Sequence, residues 1–226
     1  MRNTILTALF IGLGLSASAQ TVEKSVKVNS TAKLVYNVDA GSNKKTGIYA
    51  IQNLKNDGVW MQGNYKNDER VGTWYFFDAK NKLAMRYNYD QKKLGYIDTT
   101  TLTDVNVKVL SGDQEAVKQA SAPLPLCSID YYLTLISNKI YASDGPTDAE
   151  ITAHVNEDGK ATYTVSYLKD NKKSAGKKLV LTDDKAALEW IPSMYNNKPL
   201  ESEFTIRTTI DNSNVYSGMR RARWSN

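Results

Sequence analysis

The chain reads as mainly β plus α+β: an antiparallel β-meander of hairpins followed by a smaller domain of order helix, strand, strand, helix, strand. Three observations predict this. First, a glycine-x-aromatic or glycine-x-apolar triplet recurs at Gly47-Ile48-Tyr49, Gly72-Thr73-Trp74 and Gly95-Tyr96-Ile97, with spacings of 25 and 23 residues, a period typical of stacked supersecondary units. Second, Ile129, Tyr132, Leu133 and Ile136 fall at helical spacing. Third, Leu200, Ser202, Phe204, Ile206, Thr208 and Ile210 alternate with Glu201, Glu203, Thr205, Arg207 and Thr209, the period of a half-buried strand.

The 226-residue chain opens with Arg2, an apolar run from Ile5 to Leu15 and the small residues Ala17-Ser18-Ala19, the layout of a secretory signal peptide over residues 1–19. The run is too short for a bilayer core that needs ~20 residues. Cleavage is expected before Gln20, and no cysteine follows it to carry a lipid. The expected product is periplasmic or secreted, without a transmembrane segment. About 200 residues then remain, enough for one large domain or two small ones. Loss of Arg2 takes the formal charge from +5 to +4, and the charged residues are dispersed, which argues against nucleic acid as a partner. The single cysteine, Cys127, excludes an internal disulfide, so stability must come from packing.

Residues 20–112 form the expected β-rich domain. Val22, Val26, Val28, Leu34 and Tyr36 open it, and each repeat unit combines its glycine with a polar turn, Asn56-Asp57-Gly58 or Asp78-Ala79-Lys80-Asn81, and a return strand ending in tyrosine. Leu102, Val105, Val107 and Val109 give a further strand, closed by Ser111-Gly112-Asp113. Residues 113–127, with Pro123 and Pro125, read as a linker. The second domain, 128–210, starts with a helix capped by Ser128. A hairpin follows, turning at Asp158-Gly159. Thr182-Asp183-Asp184 then starts a short helix through Leu188 and Glu189, and Pro192 forces a stop. Lys177 to Leu181 reads partly as an extra strand. Residues 211–226, with Arg220, Arg221 and Arg223, form an expected basic flexible tail.

The stretches Gly58-Val-Trp60, Tyr65-Lys-Asn-Asp-Glu-Arg-Val-Gly72-Thr-Trp74 and Tyr87-Asn-Tyr89 resemble the MORN-like repeats of the YwqK antitoxin-like group over about residues 47–97. That resemblance implies stacked hairpins. Residues 128–210 resemble the TonB C-terminal domain, through Tyr132 to Tyr141, Val155-Asn-Glu-Asp-Gly-Lys160, and Trp190-Ile-Pro through Asn196-Asn-Lys-Pro199 to Phe204-Thr-Ile206. It implies a non-catalytic periplasmic or cell-envelope interaction module, related to transport or serving as an adaptor. Such a module binds an extended segment of an envelope partner, an outer-membrane protein among them, by strand addition. On that reading Glu201, Glu203, Thr205 and Arg207 mark the partner-binding strand. The expected mature chain lacks the anchor and the proline-rich spacer of a force-transmitting TonB.

The alternative reading is an envelope glycan or peptidoglycan binder, with Trp60, Trp74, Tyr75 and Tyr87 as a stacking platform; against it stands ordinary core packing of the same rings. Catalytic chemistry finds little support. His154 is the only histidine and alternates away from Ile151, Ala153 and Val155. Cys127 lies in an apolar Leu-Pro-Leu-Cys context that raises a thiol pKa. Asp144, Asp148 and Glu150 crowd a turn without the ordered spacing of a calcium loop. No phosphate-binding loop or serine-elbow motif is present. No catalytic residue, metal or cofactor is therefore expected.

Overall fold

The computed structural model describes residues 20–102, 104–137, 139–140, 146–169, 172–180 and 188–210. The expected signal peptide, the tail from 211, Asp144 and the 182–187 part of the expected second helix lie outside the described residues. Leu188 and Glu189, expected at the end of that helix, are not helical.

The first part of the chain is a seven-stranded antiparallel meander in sequence order: β1 (Thr21–Asn29), β2 (Ala32–Asp39), β3 (Lys45–Asn53), β4 (Gly58–Lys66), β5 (Glu69–Phe77), β6 (Leu83–Asn88) and β7 (Lys93–Ile97). Its turns are made mostly by residues that tolerate left-handed backbone: Asn43, Asp57, Asn67, Asp68 and Asn81 have positive φ, as does Lys92. Their neighbours tie the turns down. The Asp78 carboxylate, for example, accepts from the Lys80 and Lys82 amides, each at 2.8 Å.

The repeated glycine at positions 47 and 72 does its work inside the strand. Tyr36 pairs with Tyr49 but Val38 with Lys45, and Gln62 pairs with Tyr75 but Asn64 with Val71, so β3 and β5 each carry extra residues around Gly47 (φ 75°) and Gly72 (φ 65°). These are bulges that glycine makes inexpensive. Each sets the residue two positions on, Tyr49 or Trp74, into the core. The rings then meet in tilted and edge-on pairs: Tyr49 lies 4.9 Å from Tyr65 and 5.5 Å from Trp74, both tilted, and Trp74 lies 5.5 Å from Tyr89, edge to face. Trp74 fits because β4 has Gly63 opposite it. A Cβ at Gly63 would stand 2.3 Å from the indole.

After a 3-10 turn at Thr99–Leu102 the chain forms β8 (Val105–Val109), α1 (Gln114–Gln119), β9 (Leu124–Pro125), α2 (Ile129–Ser137), β10 (Thr147–Val155), β11 (Ala161–Lys169), β12 (Lys172–Lys173), β13 (Lys177–Leu179), β14 (Trp190–Ile191), β15 (Ser193–Tyr195), β16 (Lys198–Leu200) and β17 (Ser202–Ile210). The second sheet has the order β12-β11-β10-β17-β8, with β13 also paired to β11. The extra strand expected near Lys177 is β13. The Ser128 hydroxyl caps α2, accepting from the Tyr131 amide at 3.2 Å, and the Asn196-Asn197 turn, both residues at positive φ, joins β15 to β16.

Two expected boundaries move. β8 belongs to the second sheet, where it pairs with β17, so the division at residue 112 falls beyond a strand of the later unit. The 113–127 linker is also structured. Asp113 caps α1 by accepting from the Glu115 amide at 2.9 Å, and β9 pairs with β14.

Helix α2 joins the two sheets. Its residues are buried almost all round, Ile129, Tyr131, Tyr132, Leu133, Leu135 and Ile136 included, as in a helix with no solvent face. Tyr131 packs on Trp60 of the first sheet at 5.5 Å. Tyr132 packs on Trp190 at 5.7 Å and on Phe204 at 6.0 Å on the other side. Asp130 accepts from the Ala79 amide at 2.8 Å, and burial pushes its carboxyl pKa up. A second tie is Arg70, which donates to Tyr65 and Tyr89, lies over the Trp74 ring at 4.4 Å and pairs with Glu189 at 3.3 Å.

Replacing Gly63 with alanine drives a methyl into the Trp74 ring and is expected to lower stability by about 1–3 kcal/mol. Urea unfolding checks this, with Gly112→Ala, where nothing lies within 4 Å, as the reference.

Candidate functional site

The expected alternation of the last strand holds. Ser202, Phe204, Ile206, Thr208 and Ile210 are buried, while Glu203, Thr205 and Arg207 face the other way. What this outer face looks like follows from the register of its neighbours. Thr205 stands opposite Thr152 of β10 and Asn106 of β8, and Thr152 opposite Thr164 of β11. These four short, uncharged side chains form one row across four strands. The row on one side holds Glu150 and Arg207; the row on the other holds His154, Glu203 and Lys108. Short residues between long ones leave a concavity of about 680 Å³, lined by all three rows.

Its electrostatics are balanced. Glu150, buried, accepts from Lys173 and from Arg207 at 3.3 Å. The Lys173 hydrogen bond, followed by Arg207, outweighs burial and holds its carboxyl pKa below the ordinary value. Along the floor, the Thr152 and Thr205 hydroxyls lie 3.1 Å apart. The surface is thus a polar trough of hydroxyl and amide groups, bounded on one side by the Glu150 ion pairs and on the other by His154, Glu203 and Lys108, and suited to hydrogen bonding.

Of the four residues expected on the partner-binding strand, Glu203, Thr205 and Arg207 line this trough. Glu201 lies apart, between β16 and β17, 3.8 Å from His154. The strand itself is not a sheet edge. β17 pairs with β10 along its length and with β8 from Ser202 to Ile206, so its main-chain groups there are already used. An edge strand of this sheet among the described residues is β8, last in the strand order. The Leu110 amide donates to the Glu201 carbonyl, which fixes the phase of the ladder: Lys108 and Asn106 exchange hydrogen bonds with β17, and the main-chain groups of Val105, Val107 and Val109 point outward. The alternating valines were readable as a strand; its distant partner was not.

The expected stacking platform is divided by the fold. Trp60 and Trp74, 3% and 0% exposed, are core residues with no ring face open to a sugar. Tyr87 is half-buried against Tyr89, and Tyr75 alone of the four is exposed. Tyr75 lies on the face opposite Trp74, because neighbours in a strand point to opposite sides. His154 is partly exposed on the polar face. Cys127 is buried, and burial pushes its thiol pKa up, the setting of a packed residue. Asp148 accepts from the Thr209 hydroxyl at 2.6 Å. Among the described residues no three His, Cys, Asp or Glu side chains converge as a metal site, and no helix is long and apolar enough to cross a membrane. Comparison with models of known families, with curated proteins and with solved structures finds no match to this chain.

The Glu150 pairs make an acid-dependent contribution to stability. Because the folded-state pKa is lowered, that contribution is present above the ordinary carboxylate range and is lost as pH falls through the folded value. Glu150→Gln is therefore expected to be less stable than the parent at pH 7, with the gap closing towards pH 3; urea midpoints across that range read it.

Proposed function

We propose that this chain is an exported, non-catalytic protein-interaction module of the cell envelope that takes up an extended segment of a partner protein, an outer-membrane protein being the expected class. The observation that carries the reading is the outer edge of β8. Three successive outward-facing peptide units, at Val105, Val107 and Val109, are unpaired among the described residues, and the strand has neither proline nor bulge to guard it. An added strand gains main-chain hydrogen bonds there, and its side chains on the polar side come to rest beside Lys108 and Asn106 at the rim of the trough.

Further support comes from the likeness of α2, the β10–β11 hairpin and β17 to the TonB C-terminal domain, whose relatives bind by strand addition, and from the signal-like start of the chain. On this reading the docking strand is β8, one place outward from β17. The meander, similar to MORN-like repeats, is the platform that holds α2 from the other side.

Val107→Pro tests the proposal, because it removes an outward N–H while leaving the β8–β17 ladder intact. With a photo-crosslinking residue at Asn106 in intact cells, a single envelope protein should be captured. In the proline variant capture should fall at least tenfold, equivalent to about 1.4 kcal/mol, with an unchanged urea midpoint. Capture that persists undiminished in the Val107→Pro variant, or capture only of a second copy of the chain, rules out the proposed mode.

A further inference from the structure

The face of the meander turned away from the aromatic core carries Tyr75 on β5, Arg86 on β6 and Tyr96 on β7 in one cross-strand row. Tyr75 and Tyr96 are 37% and 40% exposed, and Arg86 between them is exposed. With strands about 4.8 Å apart, the two tyrosines flank the arginine at a separation of about 10 Å, the scale of a disaccharide.

Tyr96 reaches this row through an irregularity in β7. Arg86 pairs with Tyr96 but Tyr87 with Leu94, which leaves Gly95 as an extra residue. Leu94 and Ile97 pack against the core. Regular alternation from Leu94 would have turned Tyr96 inward and Ile97 out. The bulge reverses both and sets Tyr96 beside Arg86, the re-aiming of a side chain that bulges provide. Gly95 also clears the surface for the arginine, since a Cβ there would lie 3.1 Å from Arg86 Nε.

Arg86 differs from the other arginine of this sheet. Arg70, on the inner face, is held by Tyr65, Tyr89 and Glu189. No ion pair or side-chain hydrogen bond engages Arg86 among the described residues. The carboxylate on the turn after β7, Asp98, is taken by Lys82 at 2.7 Å and by Thr100. The adjoining row holds Thr73, Asn88 and Lys93, with the Asn88 amide donating to Thr73 at 3.2 Å.

We propose that the Tyr75–Arg86–Tyr96 row binds an acidic polysaccharide. The tyrosine rings stack on the apolar faces of successive sugars with their hydroxyls at the wet edge. Arg86 takes a uronate carboxylate by its planar fork, and Thr73 and Asn88 meet sugar hydroxyls. A nucleic acid is disfavoured because it asks for a line of cations tracking a phosphate backbone, whereas these two rows offer Arg86 and Lys93 among neutral polar groups. The site is on the first sheet and stands independently of strand addition at β8.

The test is electrophoresis of the full chain through gels containing alginate or hyaluronate, both polyuronates, or neutral dextran. Retardation is expected in the polyuronate gels and not in dextran. Arg86→Gln should weaken it at least tenfold, Tyr75→Ala and Tyr96→Ala several-fold each, while Lys108→Gln and Val107→Pro leave it unchanged. The side chains of Arg86, Tyr75, Tyr96 and Lys108 are exposed, so the urea midpoints of those four variants should match the parent. Equal mobility in all gels, retardation indifferent to Arg86→Gln, or equal competition by a single-stranded oligonucleotide overturns the assignment.

Discussion

A single short helix, buried on both flanks, is the constraint on which the rest of this fold depends. α2 has nine residues, yet it supplies the rings that complete two cores: Tyr131 towards Trp60, and Tyr132 towards Trp190 and Phe204. Leu133 and Ile136 are also fully buried, each a gain of about 1.5–3 kcal/mol over exposure. Such a helix has no solvent face and so has no stable existence apart from its neighbours. Each sheet is the other's cover. The Arg70–Glu189 pair and the Asp130 bond to Ala79 then fix the orientation that apolar contact alone leaves loose.

The two arginines of the meander show how burial dictates chemistry. A guanidinium taken out of water must recover its hydration from fixed partners, and Arg70 does so from two phenols, a carboxylate and the face of an indole. The pull of those groups holds an aromatic column in line. Arg86, one strand away on the opposite face, keeps its water and its freedom. One arginine is spent on architecture and the other remains available to a ligand.

Local features were legible in the sequence. The alternation of β17, the Ser128 cap, the Asp158-Gly159 turn and the recurrence of Gly47 and Gly72 each depend on a few adjacent residues, and each is present in the fold. The departures share another character. That β17 is internal depends on β8, which is remote in sequence; that Trp60 is core depends on Tyr131. The helix α1 was hidden by the prolines after it, although the Asp113 cap could have shown it. Bulges escaped as well. An extra residue at Gly95 reverses which face its neighbours take, and simple alternation carries no sign of it.

The place of β8 also shapes how the molecule is made. Every pairing within the meander joins neighbours in the chain, whereas Val105 meets Ile206 only after about a hundred intervening residues have been supplied, and such remote pairings form slowly. The first sheet can therefore assemble early, while β8 stays without a partner until the last strand arrives. For a chain emerging N-terminus first, that interval leaves a valine-rich segment open on both edges. It is a point of exposure to chaperones and to misassociation that a shorter connection would have avoided.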